Sequence, residues 1–411
     1  MNFPNWNPND FDLFKLEEGR TSRPQGIHEA AWLRFQDWMG RPCMVYAERM
    51  IPEGSDLPCI LHAVGGAQTV RTEDLAFWAD QGYACASFDW QIGDVQPREP
   101  ERTSRWPESV RPQHGPHESL DQCVLPLAIQ AAQITLSWLL DHPAVDATRV
   151  GMTGISWGGY LTWATAAYDK RIRATCPVFG CGIFDIPGMP ELFADEVRSY
   201  WETHWDPQAL ACKQTAPAAY LSATNDFFGN VSGADRLLSR LSVDSRWSLL
   251  PNADHAIGPG ESALARAWMA HYLKGGPRIP VSPSLSETLS IDCDPARDIA
   301  STELWWTSCP APSRFACWNK SPVDPSARLA FANVTYGDGL SLCSTLVHLQ
   351  DSAPLNRLPD TWLTFPDGIG WRWELGSTQF HGNEVVITPL ESGRAMEVTP
   401  APGPEDGPVA L

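Results

Sequence analysis

Basic residues are scarce in this chain, and three familiar signatures are missing from it. Thirty Lys and Arg stand against 49 Asp and Glu in 411 residues, a formal charge of −19. No Lys/Arg cluster offers the basic footprint that a nucleic acid or an anionic membrane surface requires, so neither is an expected partner. No run approaches the ~18 apolar residues that span a bilayer. The start, "MNFPNWNPNDFDLF", lacks the basic and apolar regions of a secretory signal. The 11 cysteines are odd in number and scattered singly from Cys43 to Cys343, with no CxxC pair. That spacing suggests neither a zinc site nor a disulfide framework, and with no signal it points to the cytoplasm. No internal repeat is visible.

What is present is a core-forming chain: 43% hydrophobic and 19% charged residues. Its length suggests two or three domains, or a large domain with a smaller companion. Strand and helix signals alternate through the first two-thirds. "RPCMVYAERMIP" (41–52) reads as an edge strand. "PCILHAVGG" (58–66), "YACASFDW" (83–90), "RVGMTGIS" (149–156), "IRATCPVFG" (172–180), "PAAYLSATND" (217–226) and "RWSLLPNADH" (246–255) read as further strands. Helical spacing falls between them at 72–82, 120–142, 158–169, 233–241 and 261–275. The longest, 120–142, needs Pro126 in its first turn or at the start of its main part. Strand–helix alternation implies a mostly parallel sheet covered on both faces. Residues 181–215 read as an irregular, lid-like excursion rich in Trp, Asp and Pro.

Helical periodicity stops after Gly276. "TELWWTSCP", "ARLAFANVTY", "TLVHL" and "NEVVITP" read as strands, and "YGDGLS" and "PDGIGW" as turns. The expected organisation is an extension over 1–40, an α/β unit over 41–276 and an all-β, sandwich-like domain over 277–411. Six of the 19 tryptophans lie in that last part. They are core residues or, alternatively, a platform for sugars.

Gly154-Ile155-Ser156-Trp157-Gly158 matches G-x-S-x-G. Chance alone yields about 0.2 such matches at this composition. Its setting raises its weight: it follows a buried strand and opens a helix, as a nucleophile elbow does. Such a turn lifts the serine hydroxyl out of the sheet beside a helix N-terminus, whose partial positive charge favours an oxyanion. A serine hydroxyl needs a base. His28, His142, His271 and His381 sit among polar or helical residues, and His62 lies inside an apolar strand. His114 and His117, in "PQHGPHES", are possible substrate contacts. His255 ends a strand and precedes a glycine-rich loop, which places it at the carboxyl edge of the sheet with Ser156, where open α/β sheets bind ligands. Asp226 ends another strand at that edge and is the expected acid for His255. Asp254 and Asp235 are the competing carboxylates. The order Ser156, Asp226, His255 is the α/β-hydrolase order. The expected oxyanion donors are the N–H of Trp157 and one from the loop after "CILHAVGG", with Gly66 favoured over Gly65 and Ala67.

Residues 41–275 resemble the α/β-hydrolases of the dienelactone hydrolase and acetyl xylan esterase group. "ILHAVGGAQT" resembles that group's "LHxHGGGQT". "VDATRVGMTGISWGGYLT", "AAYDKRIRATCPVFGCG" and "LSATNDFF" resemble its elbow, following strand and acid segment. The resemblance puts Ser156, Asp226 and His255 on the family's triad positions. "FANVTYGDGLSL" resembles a β domain appended to some bacterial acetyl xylan esterases. One departure stands out: Val64-Gly65-Gly66-Ala67 replaces His-Gly-Gly-Gly, which keeps a backbone donor and loses a histidine side chain.

The resemblance implies a serine ester hydrolase acting without metal or cofactor on a short-acyl ester of a sugar or small alcohol, with Trp201 and Trp205 offered as ring-stacking contacts. Two alternatives stand beside it. One is a small amidase or peptidase of the same fold, although the propeller of prolyl-oligopeptidase relatives has no room in the roughly 40 residues before the α/β unit. The other is a carbohydrate-binding protein on an inert hydrolase fold. Oligomeric state has no sequence signature here.

Overall fold

A computed structural model describes residues 7–92, 102–113, 116–183, 190–226, 228–229, 231–309, 316–320 and 322–349, and four short strands beyond them. Its centre is a nine-stranded sheet. The strands are β1 (Asp12–Arg23), β2 (Gly26–Gln36), β3 (Pro42–Ile51), β4 (Leu57–Ala63), β5 (Ala84–Phe88), β6 (Val145–Ile155), β7 (Ala174–Val178), β8 (Ala218–Ala223) and β9 (Ser245–Leu250). Their spatial order is β1-β2-β3-β5-β4-β6-β7-β8-β9. From β5 to β9 every pairing is parallel, and β1, β2 and β3 add antiparallel strands. β4, β5, β7 and β8 are buried at every residue, which is why they read as unbroken apolar runs rather than alternations.

The helices are α1 (Thr72–Asp80), α2 (Val124–Leu140), α3 (Trp157–Tyr168), α4 (Asp195–His204), α5 (Pro207–Leu210), α6 (Val231–Leu238) and α7 (Pro259–Lys274). α2 carries Pro126 in its first turn, where the ring's missing N–H breaks no helical bond, and is buried from Val124 to Leu139. α7 stops at Gly275, whose φ of 66° is the left-handed cap glycine tolerates. Among the described residues no helix is long and apolar enough to cross a membrane.

Two expectations are corrected. Residues 42–51 are not an edge strand: β3 lies between β2 and β5, because residues 12–36, read as an extension, form two more strands. In β2 the buried Leu33 and Phe35 alternate with exposed Arg34 and Gln36, the period of a half-buried strand. Nor is 181–215 irregular throughout. α4 buries only Val197 and Trp201, one turn apart, and leaves its charged residues outside, so its apolar stripe is two residues long and weak in sequence.

Beyond α7 the chain is antiparallel β. β10 (Ser284–Leu285) pairs with β11 (Ile291–Asp292). β12 (Ile299–Thr307), β13 (Asn319–Lys320), β14 (Leu329–Tyr336), β15 (Ser341–Cys343) and β16 (Val347–His348) form a five-stranded sheet. β17 (Leu363–Thr364), β18 (Gly370–Arg372), β19 (Val385–Pro389) and β20 (Met396–Val398) form a four-stranded one. The "PDGIGW" turn falls largely outside the described residues. The five-stranded sheet keeps a small cluster of its own around Trp306, Ala330 and Ala332, but it also packs on the α/β unit. Trp318, Phe331 and Cys343 bury against Trp163, Tyr220 and Trp247 of the α/β unit, and Val334, Tyr336 and Leu342 join the main core. Leu249 of β9 donates its N–H to the Cys343 thiol at 3.2 Å.

Candidate active site

The strand order reverses at β4, where the chain leaves for β5 on one side and returns to β6 on the other. Loops following β4 and β6 therefore face one another across the crevice where α/β sheets bind ligands. The loop after β6 is the G-x-S-x-G turn.

Ser156 stands between β6 and α3 with φ 60° and ψ −123°, a conformation that side chains rarely adopt. Only glycines allow it. A Cβ on Gly154 would lie 2.5 Å from the Gly158 carbonyl oxygen, and one on Gly158 would lie 2.0 Å from that of Ala63. The turn is tied down by the Ser156 N–H donating to the Val178 carbonyl at 2.9 Å. Trp157 opens α3, at the end where a helix presents N–H groups and positive potential.

Asp226 follows β8 and is buried. One carboxylate oxygen, Oδ1, accepts the N–H groups of Phe228 (2.8 Å) and Gly229. The other, Oδ2, lies 2.5 Å from Nδ1 of His255, in the loop after β9. Asp226 is the carboxylate bonded to its ring. His255 stacks on Phe179 (4.2 Å between centroids, 30°), the residue after the Val178 that holds Ser156. Phe228 bridges further, 4.7 Å from the Trp157 ring and 6.4 Å from His255. Phe179 and Phe228 thus connect the imidazole to the serine turn from two sides.

The loop after β4 is held by three side chains. The Trp90 indole N–H donates to the Val64 carbonyl at 3.0 Å. Gln68 Oε1 accepts the Gly65 N–H at 3.1 Å. Gln91 donates Nε2–H to the Gly65 carbonyl at 2.9 Å and accepts the Ala67 N–H at Oε1, 3.2 Å away. Gly65 is thereby corrected as an oxyanion donor, and Ala67 with it: both N–H groups are occupied by glutamine side chains. The Gly66 N–H has no acceptor among the described residues. Gly66 also lies against the elbow, since a Cβ on it would meet Cδ1 of Trp157 at 2.6 Å.

The structure separates the remaining candidates. Trp201 and Trp205 are fully buried and pack on each other, on Trp157 and on Phe193. Neither presents a face to a sugar ring, so their assignment as substrate contacts is corrected to packing of the cap. His114 lies outside the described residues. His117 is buried, with its ring on Phe193 at 4.9 Å. Burial pushes its pKa down to about 4. His62 is an interior residue, 3.6 Å from Asp74, and burial lowers its pKa too. His28 pairs with Glu48 at 2.8 Å, and His271 faces the Gly276 carbonyl. Sequence reasoning missed Phe179, Phe228, Trp90 and Gln91. Of the loop-holding residues, only Gln68 carried a signal, as the glutamine of the "LHxHGGGQT" pattern.

The mostly parallel sheet with a strained serine turn at its carboxyl edge is the α/β-hydrolase fold. The family model described as acetyl xylan esterase (AXE1) matches residues 27–181. The solved acetyl xylan esterase from Paenibacillus sp. R4 superposes with a TM-score of 0.51 at 17% identity, over 66% of this chain and 91% of that one. Acetyl xylan esterase 1 from Thermoanaerobacterium sp. JW/SL YS485 has 17% identity over 64% of this chain and 88% of its own, with a TM-score of 0.47. A curated relative, dipeptidyl-peptidase 5 of Porphyromonas gingivalis, is 23% identical over 185 residues, 43% of this chain. The chain spans only 24% of that relative's length. The likeness to the Paenibacillus enzyme is one of fold, and residues 27–181 are similar to the acetyl xylan esterase family.

Proposed function

We propose that the protein is a serine carboxylic-ester hydrolase whose triad is Ser156, His255 and Asp226, acting on short-acyl, acetyl-type esters of a sugar or small alcohol. The observation that carries this reading is the 2.5 Å bond from His255 Nδ1 to a buried Asp226, on the sheet edge that holds the strained Ser156 turn. With Nδ1–H donated to Asp226, Nε2 is the basic nitrogen and takes the Ser156 proton as Oγ attacks the ester carbonyl. The N–H groups of Gly66 and Trp157 receive the oxyanion. His255 then protonates the leaving alkoxide, and water, deprotonated by the same nitrogen, releases the acid from the acyl-enzyme. The acetyl preference is supported by the family match over 27–181.

The test is p-nitrophenyl acetate turnover, with butyrate and octanoate as length controls. Ser156→Ala is expected to lower kcat by several powers of ten and leave a residual rate from binding and the oxyanion hole. A Ser156→Ala protein as active as wild type rejects the reading. An amide substrate is the second reading, supported by the similarity to a dipeptidyl-peptidase. Faster hydrolysis of aminoacyl anilides than of acetate esters would select it.

A further inference from the structure

We infer that Gln91, which makes two side-chain bonds to the loop after β4, is the positioning residue that orients the Gly66 N–H as an oxyanion donor. The assignment rests on the ester-hydrolase reading above and adds a residue to its machinery.

Three consecutive peptide units of the loop are accounted for. A trans peptide is planar, so its carbonyl and its N–H point in opposite directions. Between Val64 and Gly65, the carbonyl goes to the Trp90 indole and the N–H to Gln68. Between Gly66 and Ala67, the N–H goes to Gln91 Oε1. Between Gly65 and Gly66, the carbonyl is held by Gln91 Nε2 at 2.9 Å, and the N–H is the one with no acceptor among the described residues. Gln91 therefore grips both units flanking Gly66. Fixing the Gly65 carbonyl on one side of the chain forces the Gly66 N–H to the other.

Glycine is why the grip is needed. A Gly-Gly peptide has little intrinsic preference between orientations related by a flip about its two Cα atoms. A flipped unit would present a carbonyl oxygen where the oxyanion forms, which repels rather than stabilises it. Gln91 is buried, so its amide cannot trade these bonds for water. A primary amide supplies one donor and one acceptor on adjacent atoms, the pair the loop requires.

Two variants separate this role from simple support. Gln91→Leu removes both bonds. Gln91→Glu keeps the shape and the acceptor but loses the donor to the Gly65 carbonyl. Active sites are titrated with a fluorophosphonate, and kcat and KM for p-nitrophenyl acetate are measured per titrated site. Removing one oxyanion donor lowers kcat roughly a hundredfold to a thousandfold. Displacing it through Gln91 is expected to lower kcat at least about tenfold, with KM within about twofold. Inhibition by a trifluoromethyl ketone, whose serine adduct carries the oxyanion, should weaken by the same factor as kcat/KM. The Glu variant adds a pH signature: its protonated carboxyl regains a donor, so its kcat relative to wild type should rise from pH 7 towards pH 5.

Unchanged kcat per site in both variants overturns the assignment. So does a loss confined to the number of titratable sites, which means Gln91 only supports the fold. A wild type inert to ester, anilide and fluorophosphonate alike overturns the hydrolase reading and this assignment together, which distinguishes the two failures.

Discussion

Asp226 shows how one side chain can be fully committed by its neighbours. Two backbone N–H groups fix Oδ1, so only Oδ2 faces His255. In Asp226→Asn the amide oxygen must stay with those N–H groups, and the amide NH2 then faces Nδ1. Nδ1 becomes the acceptor, the proton moves to Nε2, and the imidazole can no longer take the serine proton. The expected result is a kcat lower by roughly 10³–10⁴ with KM little changed and the fold retained. Steady-state kinetics with a thermal melt check it. A kcat within tenfold of wild type would mean that His255 is oriented by something else.

At the scale of elements, the cap docks on the loop before α2 through His117. The His117 N–H donates to the Leu192 carbonyl, and the Ala194 N–H donates to the His117 carbonyl, at 2.8 and 2.9 Å. Between these backbone ties the ring is buried against Phe193. Burial, with a smaller contribution from Arg111, pushes its pKa from the usual 6.5 to about 4. The unfolded chain therefore binds the proton first as pH falls. His117 contributes its full stability above about pH 6.5, and that contribution is lost progressively between about 6.5 and 4. The loss is on the order of a few kcal/mol. His117→Phe removes the titration, so its melting temperature should fall less than that of wild type from pH 7 to pH 4. Parallel curves in a pH series of melts would refute this.

At the scale of the whole molecule, the β region packs into the α/β unit while keeping a small cluster of its own. The β region lends Trp318 and Phe331 to a cluster with Trp163, Tyr220 and Trp247. It also reaches the candidate site's supporting loops. Asn225, next to Asp226, donates its side-chain N–H to the Ala316 carbonyl at 2.8 Å. Asn252, in the His255 loop, exchanges two bonds with the backbone of Trp318 at 2.7 and 2.9 Å. A chain ended at Gly276 would expose those aromatics, each worth about 1.5–3 kcal/mol when buried. It is expected to be aggregated or far less stable, as gel filtration and a urea titration would show. A monomeric truncation with wild-type stability and turnover would mean that the β region neither completes the core nor steadies the loops.

Local chemistry made much of this legible in sequence. Buried parallel strands read as apolar runs, the helix caps and Pro126 mark their helices, and a serine between glycines after a strand announces its strained turn. The order Ser156, Asp226, His255 could be read because each follows a strand, and parallel strands put their ends on one edge. Tertiary structure decided what depends on which partner arrives. It turned the N-terminal residues into two more strands, because pairing with β3 is a long-range bond with a weak local signal. It took Trp201 and Trp205 from surface to core, because an aromatic side chain looks the same in either place. It left the Gly66 N–H without an acceptor among the described residues and occupied its neighbours, because an N–H is available to a substrate only when no other group claims it: Gln68, three residues on, takes that of Gly65, and Gln91, 24 residues away along the chain, takes that of Ala67.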